Sequence, residues 1–171
     1  MWQFLKEYLS TPDTITTSID FDKAHCIVEY GAGTGVFTRV VAARKRRDIT
    51  YIVIEQNERF YEILQKQFHG IPGVVLIHGD AGNVCSFLRE QGFGHADYII
   101  SGLPFKSLPR QVSHRILSQT QKAIGIEGVF TTFQYTLQRK TFLENYFNIQ
   151  KIVRVWRNLP PAYVLHMKLK C

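Results

Sequence analysis

Apolar residues along the chain fall into short dense runs, separated by longer stretches in which apolar positions recur at helical spacing. The dense runs predict strands at residues 26–30, 51–55, 74–78, 97–101, 128–135 and 149–156, with a last one near 164–169. The helical spacing predicts helices at 36–46, 58–68, 83–91 and 109–124. Strands that alternate with helices pair in parallel and are covered on both faces, so the expected class is α/β: a doubly wound, mostly parallel, seven-stranded sheet. The end breaks the rhythm. After a short helix at 141–147, two strands follow one another across Arg157-Asn158-Leu159-Pro160-Pro161. Too little chain remains for a crossover helix, so these strands are expected to form an antiparallel C-terminal hairpin.

The 171 residues, 45% of them hydrophobic, suit one domain spanning the whole chain. No repeat, linker or low-complexity tract divides it. Basic residues outnumber acidic ones by 21 to 14, a formal net charge of +7. That excess favours anionic partners, either nucleic acid or an anionic membrane surface. Cys26, Cys85 and Cys171 form no C-x-x-C pair, and their odd number fits a reducing, cytoplasmic setting. No signal peptide or bilayer-length apolar run is evident, so membrane contact is expected only as a peripheral protein at the inner face.

Candidate chemistry gathers where predicted strands end. The first strand runs into Glu29-Tyr30-Gly31-Ala32-Gly33-Thr34-Gly35, three glycines in G-x-G-x-G spacing at a sharp strand-to-helix turn. A dinucleotide loop would place its third glycine where Val36 stands. Glu29 would sit poorly beside a pyrophosphate but suits a cofactor carrying an ammonium and a sulfonium. The second strand ends in Glu55-Gln56, where a carboxylate can accept both ribose hydroxyls, and the third in Asp80-Ala81, where a carboxylate and an amide can read adenine. Each acid also has a plainer explanation: Glu29 as a solvated charge, Glu55 as a charge favoured by a helix dipole, Asp80 as an N-cap. Their convergence at consecutive strand ends favours S-adenosyl-L-methionine as cofactor.

The fourth strand ends in Ser101-Gly102-Leu103-Pro104-Phe105. Leu103-Pro104-Phe105 resembles the N-L-P-[YF] motif of ribosomal RNA adenine dimethyltransferases, with Gly102 in place of the Asn that holds the adenine amine. Read with the glycine loop, Phe133-Gln134-Tyr135 and Val155-Trp156-Arg157-Asn158-Leu159-Pro160-Pro161-Ala162, the chain is similar to class I methyltransferases of the bacterial phospholipid N-methyltransferase family. The similarity extends over most of the chain from Cys26 onward. It implies a Rossmann-like sheet in the order 3-2-1-4-5-7-6 and successive methyl transfer to the amine of phosphatidylethanolamine. It assigns the acceptor loop to Ser101 through Phe105, with Ser101 also beside the cofactor. It further implies that Phe105 and Tyr135 face a methylated ammonium and that Arg157, with Asn158, meets the lipid phosphate.

Residues 1–20 are expected to form an amphipathic helix and lid segment. Trp2, Leu5 and Leu9, with Phe4 and Tyr8 adjoining, share one side, suited to a bilayer interface or to docking on the sheet. Residues 14–23 leave no room for the further helix and P-S-S element of the family, so a shortened lid is expected. The run Arg44-Lys45-Arg46-Arg47 suits a helix C-terminus, and its surplus charge suits an anionic surface. The six histidines have no metal-ligand spacing, and no metal is expected. Ser101 lacks the G-x-S-x-G elbow of a hydrolase. Two alternatives stand beside the lipid reading: an RNA adenine-N6 methyltransferase, and a cofactor-binding or membrane-associated protein without catalysis.

Overall fold

The computed structural model describes residues 12–155 and 161–170. In chain order the elements are α1 (Pro12–Thr16), β1 (Cys26–Tyr30), α2 (Val36–Arg44), β2 (Thr50–Glu55), α3 (Glu58–Phe68), β3 (Val74–His78), a 3-10 turn (Ala81–Asn83), α4 (Val84–Glu90), β4 (Ala96–Ser101), α5 (Arg110–Ala123), β5 (Ile124–Gln134), α6 (Lys140–Glu144), β6 (Phe147–Val155) and β7 (Ala162–Leu169). The seven strands form one sheet in the order β3-β2-β1-β4-β5-β7-β6. The five strands β1 to β5 pair in parallel, while β7 runs antiparallel to both β5 and β6. The expected doubly wound sheet with its antiparallel C-terminal pair is therefore present.

All five residues of β1 are buried, as its central place in a sheet covered on both faces requires. Alternation along the strand divides them between two cores. Cys26, Val28 and Tyr30 join Ile52, Ile54, Ile99 and Leu117, whereas Ile27 joins Tyr51, Val53, Phe37 and Val41 on the opposite face. Ile15, Ile19 and Ala24 also pack on this second face. The single turn α1 thus falls within the stretch expected as helix and lid, and the residues after it, expected to be too short for a further helix, cover the sheet. The proposed membrane-facing residues Trp2, Leu5 and Leu9 lie outside the described residues.

One strand differs from expectation. β5 starts at Ile124, directly after α5, rather than at residue 128. Ile124 pairs with Ala96, but the next recorded pair is Val129 with Tyr98, so residues 125–128 bulge out of register. Two glycines and the exposed Ile126 in that bulge hide the strand from a reading based on alternation.

The basic run is largely consumed inside the fold. Arg44 donates to Thr16 Oγ1 at 3.0 Å and lies over the Phe21 ring. Lys45 Nζ donates to the carbonyls of Arg46, Ile49 and Pro72. Arg46 pairs with Asp48 and reaches the Phe21 and Ala24 carbonyls. Three of the four charges thus tie the end of α2 to neighbouring loops at the amino edge of the sheet. Only Arg46 is neutralised by an ion pair, with Asp48; Arg44 and Lys45 keep their positive charge while bonded to neutral acceptors.

Candidate active site

The carboxyl ends of β1, β2, β3 and β4 meet at one edge. Gly31, Gly33 and Gly35 all have positive φ, at 63°, 56° and 81°, a region that favours residues without Cβ. A Cβ on Gly31 would meet Leu103 Cδ2 at 2.6 Å, whereas one on Gly33 would meet nothing within 4 Å. Gly31 therefore permits contact with the β4 loop, and Gly33 leaves open space beside the turn.

Glu55 organises this edge. Its Oε2 accepts from the Gly33 amide and its Oε1 from the Asn57 amide, each at 2.8 Å. Each oxygen retains acceptor capacity for a further hydroxyl. A cleft of about 380 Å³ opens here, lined by Gly31, Glu55, Gln56, Asp80, Ala81 and Leu103, by Leu108 just before α5 and by Val112 and Ile116 within it. Its size and mixed lining suit a small organic ligand. The open position at Gly33, the glycine cradle and the Glu55 carboxylate together fit a nucleoside cofactor.

Asp80 lies on the far wall and caps the 3-10 turn, its Oδ1 accepting from the Gly82 amide at 2.6 Å. Its other oxygen pairs with Arg115 of α5. Arg115 was not anticipated: its position beside the apolar stripe of α5 reads as a solvated charge, and only tertiary folding brings it to Asp80. The α5 side chains of the cleft were missed similarly, because a spacing of four residues reads as core.

Several expected site residues stand elsewhere. Glu29 is fully buried and does not line the cleft. Its Oε2 accepts from Thr38 Oγ1 at 2.7 Å and from the Tyr51 hydroxyl, while its Oε1 has no partner among the described residues. Burial raises its pKa to about 7 against the opposing effect of these two bonds. Tyr30 sends its ring into the core, where its hydroxyl meets Thr120 at 3.2 Å; its carbonyl accepts from the Gly102 amide. Ala32 is buried, Thr34 half-buried, and Gly35 sits against Phe68.

The β4 loop forms a wall between two cavities. Buried Ser101 accepts from the Leu103 amide, and Gln134 donates to the Leu103 carbonyl at 3.0 Å. Leu103 faces the first cleft, whereas Gly102 and Pro104 line a second cavity of about 280 Å³ with Phe133, Gln134, Tyr135, Thr136, Lys106 and Ser107. Tyr135 lines this second cavity, its ring edge-on to Phe133 at a centroid distance of 4.9 Å. Phe105, expected beside it at the acceptor, does not. It is fully buried and packs edge-on against Phe130, because the turn after Pro104 directs its ring beneath the loop. Arg157 and Asn158 lie outside the described residues. No group of metal-ligating side chains occurs among the described residues.

A seven-stranded sheet in this order, with a glycine turn and an acid-lined cleft at its parallel edge, defines a class I S-adenosylmethionine-dependent methyltransferase. The sequence model of ribosomal RNA adenine dimethylase matches residues 3–155, and the chain belongs to that family. It is 31% identical over 152 residues to an ornithine lipid N-methyltransferase from Singulisphaera acidiphila, covering 87% of this chain and 78% of the relative. It is 24% identical to a tRNA1(Val) (adenine(37)-N6)-methyltransferase from Shewanella sp., covering 77% of this chain and 56% of that protein. Among solved structures, TrmN from Thermus thermophilus matches with a TM-score of 0.75 at 12% identity, covering 93% of this chain and 48% of TrmN. An rRNA methylase from Streptococcus thermophilus matches with a TM-score of 0.68 at 16% identity, covering 94% and 95%. These structural likenesses concern the fold.

Proposed function

We propose that this methyltransferase acts on the primary amine of a lipid head group, with phosphatidylethanolamine as the first candidate acceptor. Gly102 carries this reading. In the adenine enzymes that the loop resembles, an Asn side chain at this position holds the acceptor amine, and here no side chain exists. A Cβ at Gly102 would stand 3.0 Å from the Gly31 carbonyl oxygen, so a larger residue requires that backbone to give by a few tenths of an ångström. The similarity to an ornithine lipid N-methyltransferase supports the same acceptor class. The RNA adenine reading draws on Leu103-Pro104-Phe105 and on the tRNA methyltransferase likeness.

In this reading Glu55 accepts the ribose hydroxyls and Gly31 cradles the cofactor, with Gln56, Asp80 and Ala81 around its base. Glu29 acts from below, bracing the glycine turn through Thr38. When bound, S-adenosylmethionine supplies a methyl group on a sulfonium, open to attack by a neutral nitrogen. The chain contributes alignment, because Gln134 fixes the Leu103 carbonyl and the loop between the cavities. Phe133 and Tyr135 offer ring faces that tolerate cationic charge as methyl groups accumulate.

Glu55→Ala is expected to weaken S-adenosylhomocysteine binding by about 1 to 3 kcal/mol, because two backbone amides and the ribose lose an acceptor. Calorimetry on the folded variant checks this, and unchanged affinity removes Glu55 from the site. For the acceptor, cofactor labelled in its methyl group is incubated with phosphatidylethanolamine, ornithine lipid and RNA in parallel. Label is expected in lipid. Label in RNA adenine alone overturns the proposal in favour of the second reading.

A further inference from the structure

The second cavity changes character with depth. Its floor is uncharged: Phe133 and Gln134 are buried, and Gln134 donates to the Leu103 carbonyl and to Thr132. Its mouth is formed by exposed Pro104, Lys106 and Ser107. Lys106 is the one charged side chain among the residues lining it, and it forms no ion pair or hydrogen bond with a described residue. Elsewhere Arg115 is paired with Asp80 and Lys140 with Glu144. A ligand that enters this cavity therefore meets positive charge first and aromatic surface last.

We infer that Lys106 binds the anionic group of a zwitterionic acceptor, one whose amine lies a few bonds beyond a phosphate or carboxylate and enters the cavity ahead of it. This inference rests on the lipid-amine reading and adds the feature of the head group that the protein selects. The geometry orders the two charges. The amine reaches Gly102, where the wall shared with the cofactor cleft is a backbone without side chain, and the anion stops at Lys106 at the mouth. The apolar bulk of the lipid remains outside. A volume near 280 Å³ lies at the small end of ligand sites, which suits a head group better than a purine with its attached sugar and phosphates. Lys106 acts as a point charge with freely rotating donors, so phosphate and carboxylate are both accepted.

The test measures methyl transfer to phosphatidylethanolamine and, separately, to ornithine lipid in neutral detergent micelles. Lys106→Gln and Lys106→Arg are compared with the unaltered chain. Lys106→Gln is expected to raise KM about tenfold for the acceptor whose anion Lys106 engages. The turnover number and S-adenosylhomocysteine affinity should stay near those of the unaltered chain, and Lys106→Arg should restore most of the loss. A rise for both lipids shows that charge alone is recognised; a rise for one identifies phosphate or carboxylate as the partner. Soluble phosphoethanolamine should inhibit better than ethanolamine, and that advantage should vanish in Lys106→Gln. Lipid methylation with unchanged KM in Lys106→Gln, or a fall in turnover with KM unaltered, overturns the assignment of Lys106 alone. Methylation of RNA with none of lipid overturns the acceptor class, and this inference with it.

Discussion

Phe105→Ala is expected to destabilise the protein by about 3 to 5 kcal/mol, the cost of emptying a large aromatic site in a packed core. The ring is fully buried and lies edge-on to Phe130 at a centroid distance of 6.5 Å; Phe130 in turn packs on Phe147 and Tyr30. Its removal therefore opens a cavity among elements drawn from β1, β5 and β6 rather than at the surface of the loop. For a domain of this size such a loss is a large part of total stability. Phe105→Leu keeps most of the volume and should retain both fold and methyl transfer. Denaturant unfolding and steady-state kinetics on the two variants separate a packing role from contact with the acceptor. A fully stable Phe105→Ala protein with selectively raised acceptor KM would reinstate the ring as an ammonium-binding group.

The second large effect is a pH dependence centred on Glu29. Its ordinary pKa is 4.5 and burial raises it to about 7 in the fold. Below about pH 4.5 the carboxyl is protonated in both folded and unfolded chains, and it contributes no difference. Between pH 4.5 and 7 the unfolded chain releases the proton while the folded chain retains it, so stability falls as pH rises. Above pH 7 both are ionised and the penalty is complete, about 3 kcal/mol at 1.36 kcal/mol per pKa unit. Glu29→Gln removes this slope. Unfolding free energies of the two proteins without cofactor, compared at pH 4.5 and pH 8, should therefore shift in favour of the variant by roughly that amount at the higher pH. Parallel stability profiles would show that the buried carboxyl does not titrate in this range.

From the sequence Glu29 was expected beside the cofactor and Phe105 at the acceptor, whereas the fold buries both side chains. Both lie within three residues of cleft-lining positions, Glu29 before Gly31 and Phe105 after Leu103. The cause is the tight turn after each strand end, which breaks the alternation that would keep residues two apart on one face. A short motif that crosses such a turn identifies a site without saying which members touch a ligand. Glu29 points to the face of α2, where Thr38 and Tyr51 receive it.

Elements with strong local patterns were legible. The bounds of β1, α3 and β3 match the sequence reading, since dense apolar runs and a clear helical stripe leave little freedom. The bulged start of β5 was not legible, because its glycines and exposed Ile126 carry no alternation. The glycine turn and the acids Glu55 and Asp80 were also found, as positive-φ glycines and strand-end carboxylates leave a signature in a few adjacent letters.

By itself, then, the chain determined an α/β sheet with parallel pairing, an antiparallel end and a cofactor edge, since each follows from periodicity and local steric demands. Tertiary structure alone decided which charges are available. Arg44, Lys45 and Arg46 form a basic run in sequence but are occupied by carbonyls, a hydroxyl and Asp48 in the fold. Arg115 is drawn across to Asp80, while Lys106, at the mouth of a cavity, has no ion-pair partner among the described residues. Charge acts through distance and burial, and those are set by contacts between residues far apart in the chain.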